Sequence, residues 1–123
     1  MIAAAVIVAG ALGAVIRYLL SHLLSRGTTT PRSHFLWPVL IVNVVGSAIG
    51  GAVLGLTTAG GLSHDLRLIL LTGFCGGLTT FSTFSVETIQ LAIDRKWGVA
   101  ALNVGANLVL GIGAAALAFA ATS

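Results

Sequence analysis

Three asparagines, Asn43, Asn103 and Asn107, stand inside stretches of sequence that otherwise carry no strongly polar side chain. Asn103 and Asn107 are four apart, so a helix would place both amides on one face. A third stretch, Leu68 to Val86, holds hydroxyls at Thr79, Thr80, Ser82, Thr83 and Ser85 and two phenylalanines three apart, Phe81 and Phe84. Amide N–H and hydroxyl O–H groups can replace part of an anion's hydration shell. Phenylalanine ring edges carry positive quadrupole density. Sites built from such neutral groups hold an ion weakly enough to release it, as fast conduction requires. The set therefore suits passive movement of an anion.

Gly76-Gly77 precedes the hydroxyls and favours bending or unwinding of a helix at that point. Carbonyls freed by a break at membrane depth must be buried in protein, line a watery path or hold an ion. A small cation such as Na⁺ fits that role. No catalytic set accompanies these groups. The sequence lacks a Ser/His/Asp grouping, a metal-ligand cluster, a phosphate loop and paired carboxylates. His22 and His34, without carboxylate or cysteine partners, make a poor metal site, and His64 lies in a short polar turn with Asp65 and Arg67.

The elements that carry these groups are membrane spans. The chain has 123 residues, 57% of them hydrophobic and 7% charged, with a mean hydropathy of +1.07. A soluble domain carries about 25% charged residues, so this is an integral membrane protein of the all-α class. Spans are expected over about residues 2–24, 36–56, 68–92 and 97–121, in a single domain covering 1–123, with the third span broken near the midplane. So small a unit hardly encloses a path alone, which makes self-association the expectation. The first span has no preceding Lys or Arg and is interrupted by Arg17-Tyr18, so it reads as retained rather than cleaved. Six basic residues without a cluster give no support to nucleic-acid binding. Cys75 is the only cysteine, which excludes an intrachain disulfide and suits a small buried residue.

Arg17 lies roughly 22 Å along the first helix, close enough to the far interface to snorkel. Anchoring of the helix end with Tyr18 is one role for it; attracting an anion at the mouth of a path is the other. Trp37-Pro38 suits a helix start at the interface after a polar first loop containing Arg26, Pro31 and Arg32. Gly10 and Gly13, Gly46 and Gly50, Gly51 and Gly55, and Gly105, Gly111 and Gly113 offer small surfaces for close helix approach. Glu87 reads as an interfacial carboxylate that Arg17 or a loop base would pair. Tight interhelical bonding alone would also account for Asn43, Asn103 and Asn107.

The segment Gly73-Phe-Cys-Gly-Gly-Leu-Thr-Thr-Phe-Ser-Thr-Phe-Ser-Val-Glu87 resembles the signature of the Fluc (CrcB) fluoride channel family. Gly10 to Tyr18, Val42-Asn43-Val44-Val45-Gly46-Ser47 and Asn103 to Gly111 resemble its motifs in the other three spans. The resemblance implies a fluoride-selective channel of the inner (plasma) membrane, built as a dimer of antiparallel subunits. It implies two pores and a central structural Na⁺ that is not transported. On this sequence the Na⁺ carbonyls would be those of Gly76 and Thr79, and the pore phenylalanines Phe81 and Phe84. Asn43 would line the pore, Asn103 and Asn107 would stand on a polar track, and Arg17 would lie near the vestibule. The chain departs from many members at Pro38-Val39, where Gly-Thr is common, and at Gly111, where a hydroxyl is often found. The track is thinner for it.

The alternative class is a small multidrug-type proton-coupled exporter, which would need an embedded carboxylate in the first span; none is there. A non-transporting assembly subunit is a third. The basic residues divide as Arg67 against Arg17, Arg26, Arg32, Arg95 and Lys96, which favours both termini outside. An antiparallel homodimer would expect an even count, so a paralogue with the reverse bias is an alternative partner.

Overall fold

The computed structural model describes residues 1–25 and 36–123. The first loop, with Arg26, Pro31, Arg32 and His34, lies outside the described residues, as does the side chain of Trp37. The described chain runs α1 (Ile2–Ser25), α2 (Leu36–Thr58), α3 (His64–Leu68), a π-helical segment (Ile69–Cys75), α4 (Gly76–Leu78), α5 (Ser82–Ile93) and α6 (Trp97–Thr122). Four segments are long and apolar enough to cross a bilayer: Ile2–Leu23, Pro38–Thr58, His64–Ile93 and Trp97–Thr122. Their number is the four expected from the sequence.

The ends of the helices are set by local chemistry. At the end of α2, the Thr57 and Thr58 hydroxyls fold back onto the Val53 and Leu54 carbonyls at 2.7 and 2.9 Å. Gly60 then turns the chain with φ +81°, a conformation glycine adopts without strain. Ser63 caps α3, its side chain accepting from the Leu66 amide at 3.2 Å. After α5, Arg95 takes the left-handed conformation at φ 59°. The Lys96 and Arg95 amides return to the Leu91 and Ala92 carbonyls, closing the helix in the manner of a Schellman turn.

Two pairings build the bundle: α2 lies along α6, and α1 lies against the π-helical segment and α4. Both rest on missing side chains. A Cβ at Gly77 would collide with the Gly10 carbonyl oxygen and stand 3.0 Å from the Gly10 Cα. One at Gly13 would stand 2.8 Å from the Leu78 amide nitrogen, and one at Gly73 2.8 Å from the Val6 carbonyl oxygen. Gly51 and Gly55 play the same part between α2 and α6, against Ala115 and against Phe119 with Thr122. Glycine permits this approach where lipid supplies no hydrophobic drive between helices. Gly105 and Gly113 differ from expectation: among the described residues a Cβ at either would meet nothing within contact distance, so neither serves a close helix approach there. The buried core is small, centred on Val39, Leu40, Val42, Val53, Leu78 and Leu91. Most large apolar side chains point outward, as suits a lipid solvent.

The third span is broken, and the break falls later than the sequence suggested. Gly76 is still helical (φ −61°, ψ −37°). The extended residue is Thr79 (φ −82°, ψ 158°), and the helix restarts at Ser82 after Phe81. Of the two glycines just ahead of the break, Gly77 is a packing position against Gly10, and Gly76 has only the Leu71 carbonyl oxygen near it. Seven residues of wide π-helix lead into it.

Candidate functional site

A ψ of 158° at Thr79 turns the Thr79–Thr80 peptide out of helical register, and each of its atoms finds a new partner. The Thr80 N–H donates to Asn43 Oδ1 at 2.9 Å, and Asn43 Nδ2 donates to the Thr80 carbonyl at 3.3 Å. One side-chain amide on α2 therefore pairs with both backbone groups of Thr80, as a neighbouring strand would. The Thr79 carbonyl accepts from Arg17 Nη1 at 3.3 Å. The Thr83 N–H is taken by the Thr80 hydroxyl at 3.1 Å. In an unbroken helix the Thr80 and Thr83 amides would serve the Gly76 and Thr79 carbonyls. The break diverts both donors, which turns those two oxygens into candidates for an external partner.

From Asn43 a line of side-chain bonds runs to α6 and back to α5. Asn43 Nδ2 donates to Asn107 Oδ1 at 3.0 Å. Asn107 Nδ2 donates to the Asn103 carbonyl at 2.8 Å and to Asn103 Oδ1 at 3.1 Å. Asn103 Nδ2 donates to Thr88 Oγ1 at 2.9 Å, and that hydroxyl donates to the Phe84 carbonyl at 2.8 Å. Asn103 is only 2% exposed. An amide that deep requires such partners.

An open groove of about 330 Å³ lies beside this line, walled by Asn43, Ser47, Thr79, Thr80, Phe81, Phe84, Asn107 and Leu108. The rings of Phe81 and Phe84 sit 6.1 Å apart, centroid to centroid, tilted by 41°. Phe84 is half-buried, whereas Phe81 is 79% exposed at the edge of the break. The structure thus gathers Asn43, Asn107, Phe81 and Phe84 around one space. Asn103 stands behind the wall, joined to it through Asn107. Arg17 holds the break from the α1 side and does not line the groove. Its inward contact differs from simple anchoring at the helix end.

Glu87 was expected to pair with Arg17 or a loop base, and among the described residues it does not. Arg17 is turned to the Thr79 carbonyl, and Glu87 Oε2 is buried without a hydrogen-bond partner. Tyr18 instead stacks on His22, with 6.2 Å between ring centroids. Cys75 is buried, as its residue type suggested. Among the described residues no three His, Cys, Asp or Glu side chains group as a metal site.

Sequence reasoning passed over Ser47, Thr80 and Thr88 as individual site residues. The signals were present in the spacing: Ser47 is one helical turn after Asn43, and Thr88 one turn after Phe84. Thr80 was hidden among equivalent hydroxyls, because its importance comes from its backbone. The two positions where this chain departs from the motif pattern fall differently. Pro38 and Val39 are buried in the subunit, away from the groove wall, while the space at Gly111 opens toward Ser47.

The model of the family described as CrcB-like protein, Camphor Resistance (CrcB), matches residues 4–119. Curated relatives agree over nearly the whole chain. "Fluoride-specific ion channel FluC 1" of Thermobifida fusca (strain YX) is 44% identical, covering 93% of this chain and 89% of that protein. "Fluoride-specific ion channel FluC" of Gluconobacter oxydans (strain 621H) is 43% identical over 91% of this chain and 78% of that protein. The protein of the same name from Thermococcus gammatolerans (strain DSM 15229 / JCM 11827 / EJ3) is 45% identical over 89% and 86%.

Proposed function

This chain belongs to the CrcB family, and from that premise we propose that it is a fluoride-specific channel, a transporter and not an enzyme, that lets fluoride leave passively across the plasma membrane. The observation that carries the reading is the groove itself. It joins two phenylalanine edges, a line of neutral amides and a broken backbone, with no charged side chain in its wall. An ion would exchange water for weak donors there and leave again, which is conduction rather than capture. The relatives' names supply the identity of the ion. Purified protein in fluoride-loaded liposomes tests this. Fluoride should escape without a proton gradient while chloride is retained; equal chloride release, or release only with a proton gradient, overturns it.

We further propose that the working unit is an antiparallel dimer, with itself or with a paralogue. A groove open along one side, with Phe81 projecting beside it, is consistent with closure by a second copy. A structural Na⁺ belongs to the same proposal. The Gly76 and Thr79 carbonyls suit it chemically, since both have lost their helical donors and a carbonyl has two lone pairs. Two such pairs from antiparallel chains would give four oxygens around the ion. Held by these carbonyls, a sodium ion would supply positive charge between the two breaks. Replacing Na⁺ by a large organic cation on both sides is then expected to stop fluoride release while the protein stays folded. Thr79→Ser should keep Na⁺ dependence, because the carbonyl is retained. It should lose about 1 kcal/mol of stability, because the Thr79 methyl fills the notch left by Gly46. Full flux in the absence of Na⁺ would remove the ion from the proposal.

A further inference from the structure

The polar groups in the groove wall are not equally free to meet an ion. Both contacts of Asn43 Nδ2 are spent inside the subunit, on the Thr80 carbonyl and on Asn107. Both contacts of Asn107 Nδ2 go to Asn103. The Thr79 hydroxyl donates to the Cys75 carbonyl at 2.9 Å, and the Thr80 hydroxyl donates to Thr83 Oγ1 at 3.2 Å. Ser47 is the exception: among the described residues its hydroxyl makes no hydrogen bond. Nor is it covered. Across from it on α6 stands Gly111, where an added Cβ would lie 3.4 Å from Ser47 Oγ, and glycine has none.

Position adds to availability. Ser47 lines the polar groove and also an adjoining space of about 420 Å³ whose other walls are apolar, among them Gly50, Leu54, Leu71 and Ile112. It is the polar group at the junction of the two. Resting on the channel reading, we propose that the Ser47 hydroxyl is the side-chain donor that meets fluoride in this groove, with Asn43 and Asn107 holding the wall in shape. A rotatable O–H that is not already committed to a hydrogen bond can turn to a small anion at once. The amides would first have to break bonds that keep the helix break in place.

The test compares the full-length protein in fluoride-loaded liposomes with Ser47→Ala and with the double variant Ser47→Ala/Gly111→Ser. Serine at 111 returns a hydroxyl to the same gap from the opposite helix. Ser47→Ala is expected to slow fluoride release about tenfold or more, the scale of one hydrogen bond to a charged group, with an unchanged thermal unfolding midpoint. The double variant should recover most of the rate. Ser47→Ala at the unsubstituted rate overturns the assignment and leaves the channel reading standing. A double variant as slow as Ser47→Ala also overturns it, since the hydroxyl is then not what acts. If the unsubstituted protein itself releases no fluoride, the channel reading fails and the assignment with it.

Discussion

Gly77→Ala is expected to abolish the folded protein, whereas Gly76→Ala is expected to leave the subunit fold intact. The two glycines are adjacent and both helical or at a helix edge, so conformational freedom does not separate them. Their surroundings do. A methyl at Gly77 would run into the Gly10 carbonyl oxygen and lie 2.9 Å from the Gly10 carbonyl carbon. Backbone on both sides cannot swing away like a flexible side chain, so relief requires α1 to separate from the third span. Overpacking costs about 1–3 kcal/mol and sometimes more. Here separation would also loosen the flanking contacts at Gly13 and Gly73. At Gly76 the nearest atom to an added Cβ is the Leu71 carbonyl oxygen at 3.8 Å, an ordinary contact. Size-exclusion profiles and unfolding midpoints in detergent check the pair. A stable, monodisperse Gly77→Ala protein would contradict the described crossing. Loss of flux in a well-folded Gly76→Ala protein would place the constraint on Gly76 outside the subunit, where the Na⁺ proposal needs it.

Phe81→Ile and Phe84→Ile are each expected to cut fluoride release steeply, about 30- to 100-fold. Isoleucine keeps much of the volume and removes the positively polarised ring edge. If the edge stabilises the passing ion as much as a hydrogen bond to a charged group, about 2.0–2.7 kcal/mol is lost. Each 1.36 kcal/mol is a factor of ten in rate. The two positions separate packing from ion contact. Phe81 is largely exposed, so its replacement by Ile should scarcely alter the unfolding midpoint, while half-buried Phe84 carries a packing role as well. Wild-type flux from both variants, measured with equal amounts of folded protein, would reduce the rings to packing.

The spans were legible because hydropathy reports the solvent directly: an uncharged run of about 20 residues has few alternatives. The Asn103–Asn107 face was legible for a related reason, since two amides one turn apart in an apolar helix demand partners. The position of the break was less so. Glycines mark where a helix is easily bent, yet here the bend sits where outside groups capture a peptide. Those groups, Asn43 and Arg17, are 37 and 62 residues away in sequence. Local propensity cannot register that. The Ser47 hydroxyl was obscured in the same way. Its availability follows from the absence of a side chain at Gly111, on a helix 64 residues further along.

The capture of the Thr79–Thr80 peptide also bears on how the chain is made. Both groups that hold it, Arg17 on α1 and Asn43 on α2, precede the break and leave the ribosome before it. When the third span enters the bilayer, its displaced N–H and carbonyl meet partners already in place. Synthesis from the amino terminus thus spares the least lipid-compatible peptide from waiting unpaired in hydrocarbon. Asn103 and Asn107 arrive last and close the line of amides onto a break that is already held. The order of spans along the gene is in this sense an order of assembly, with the splint made before the fracture.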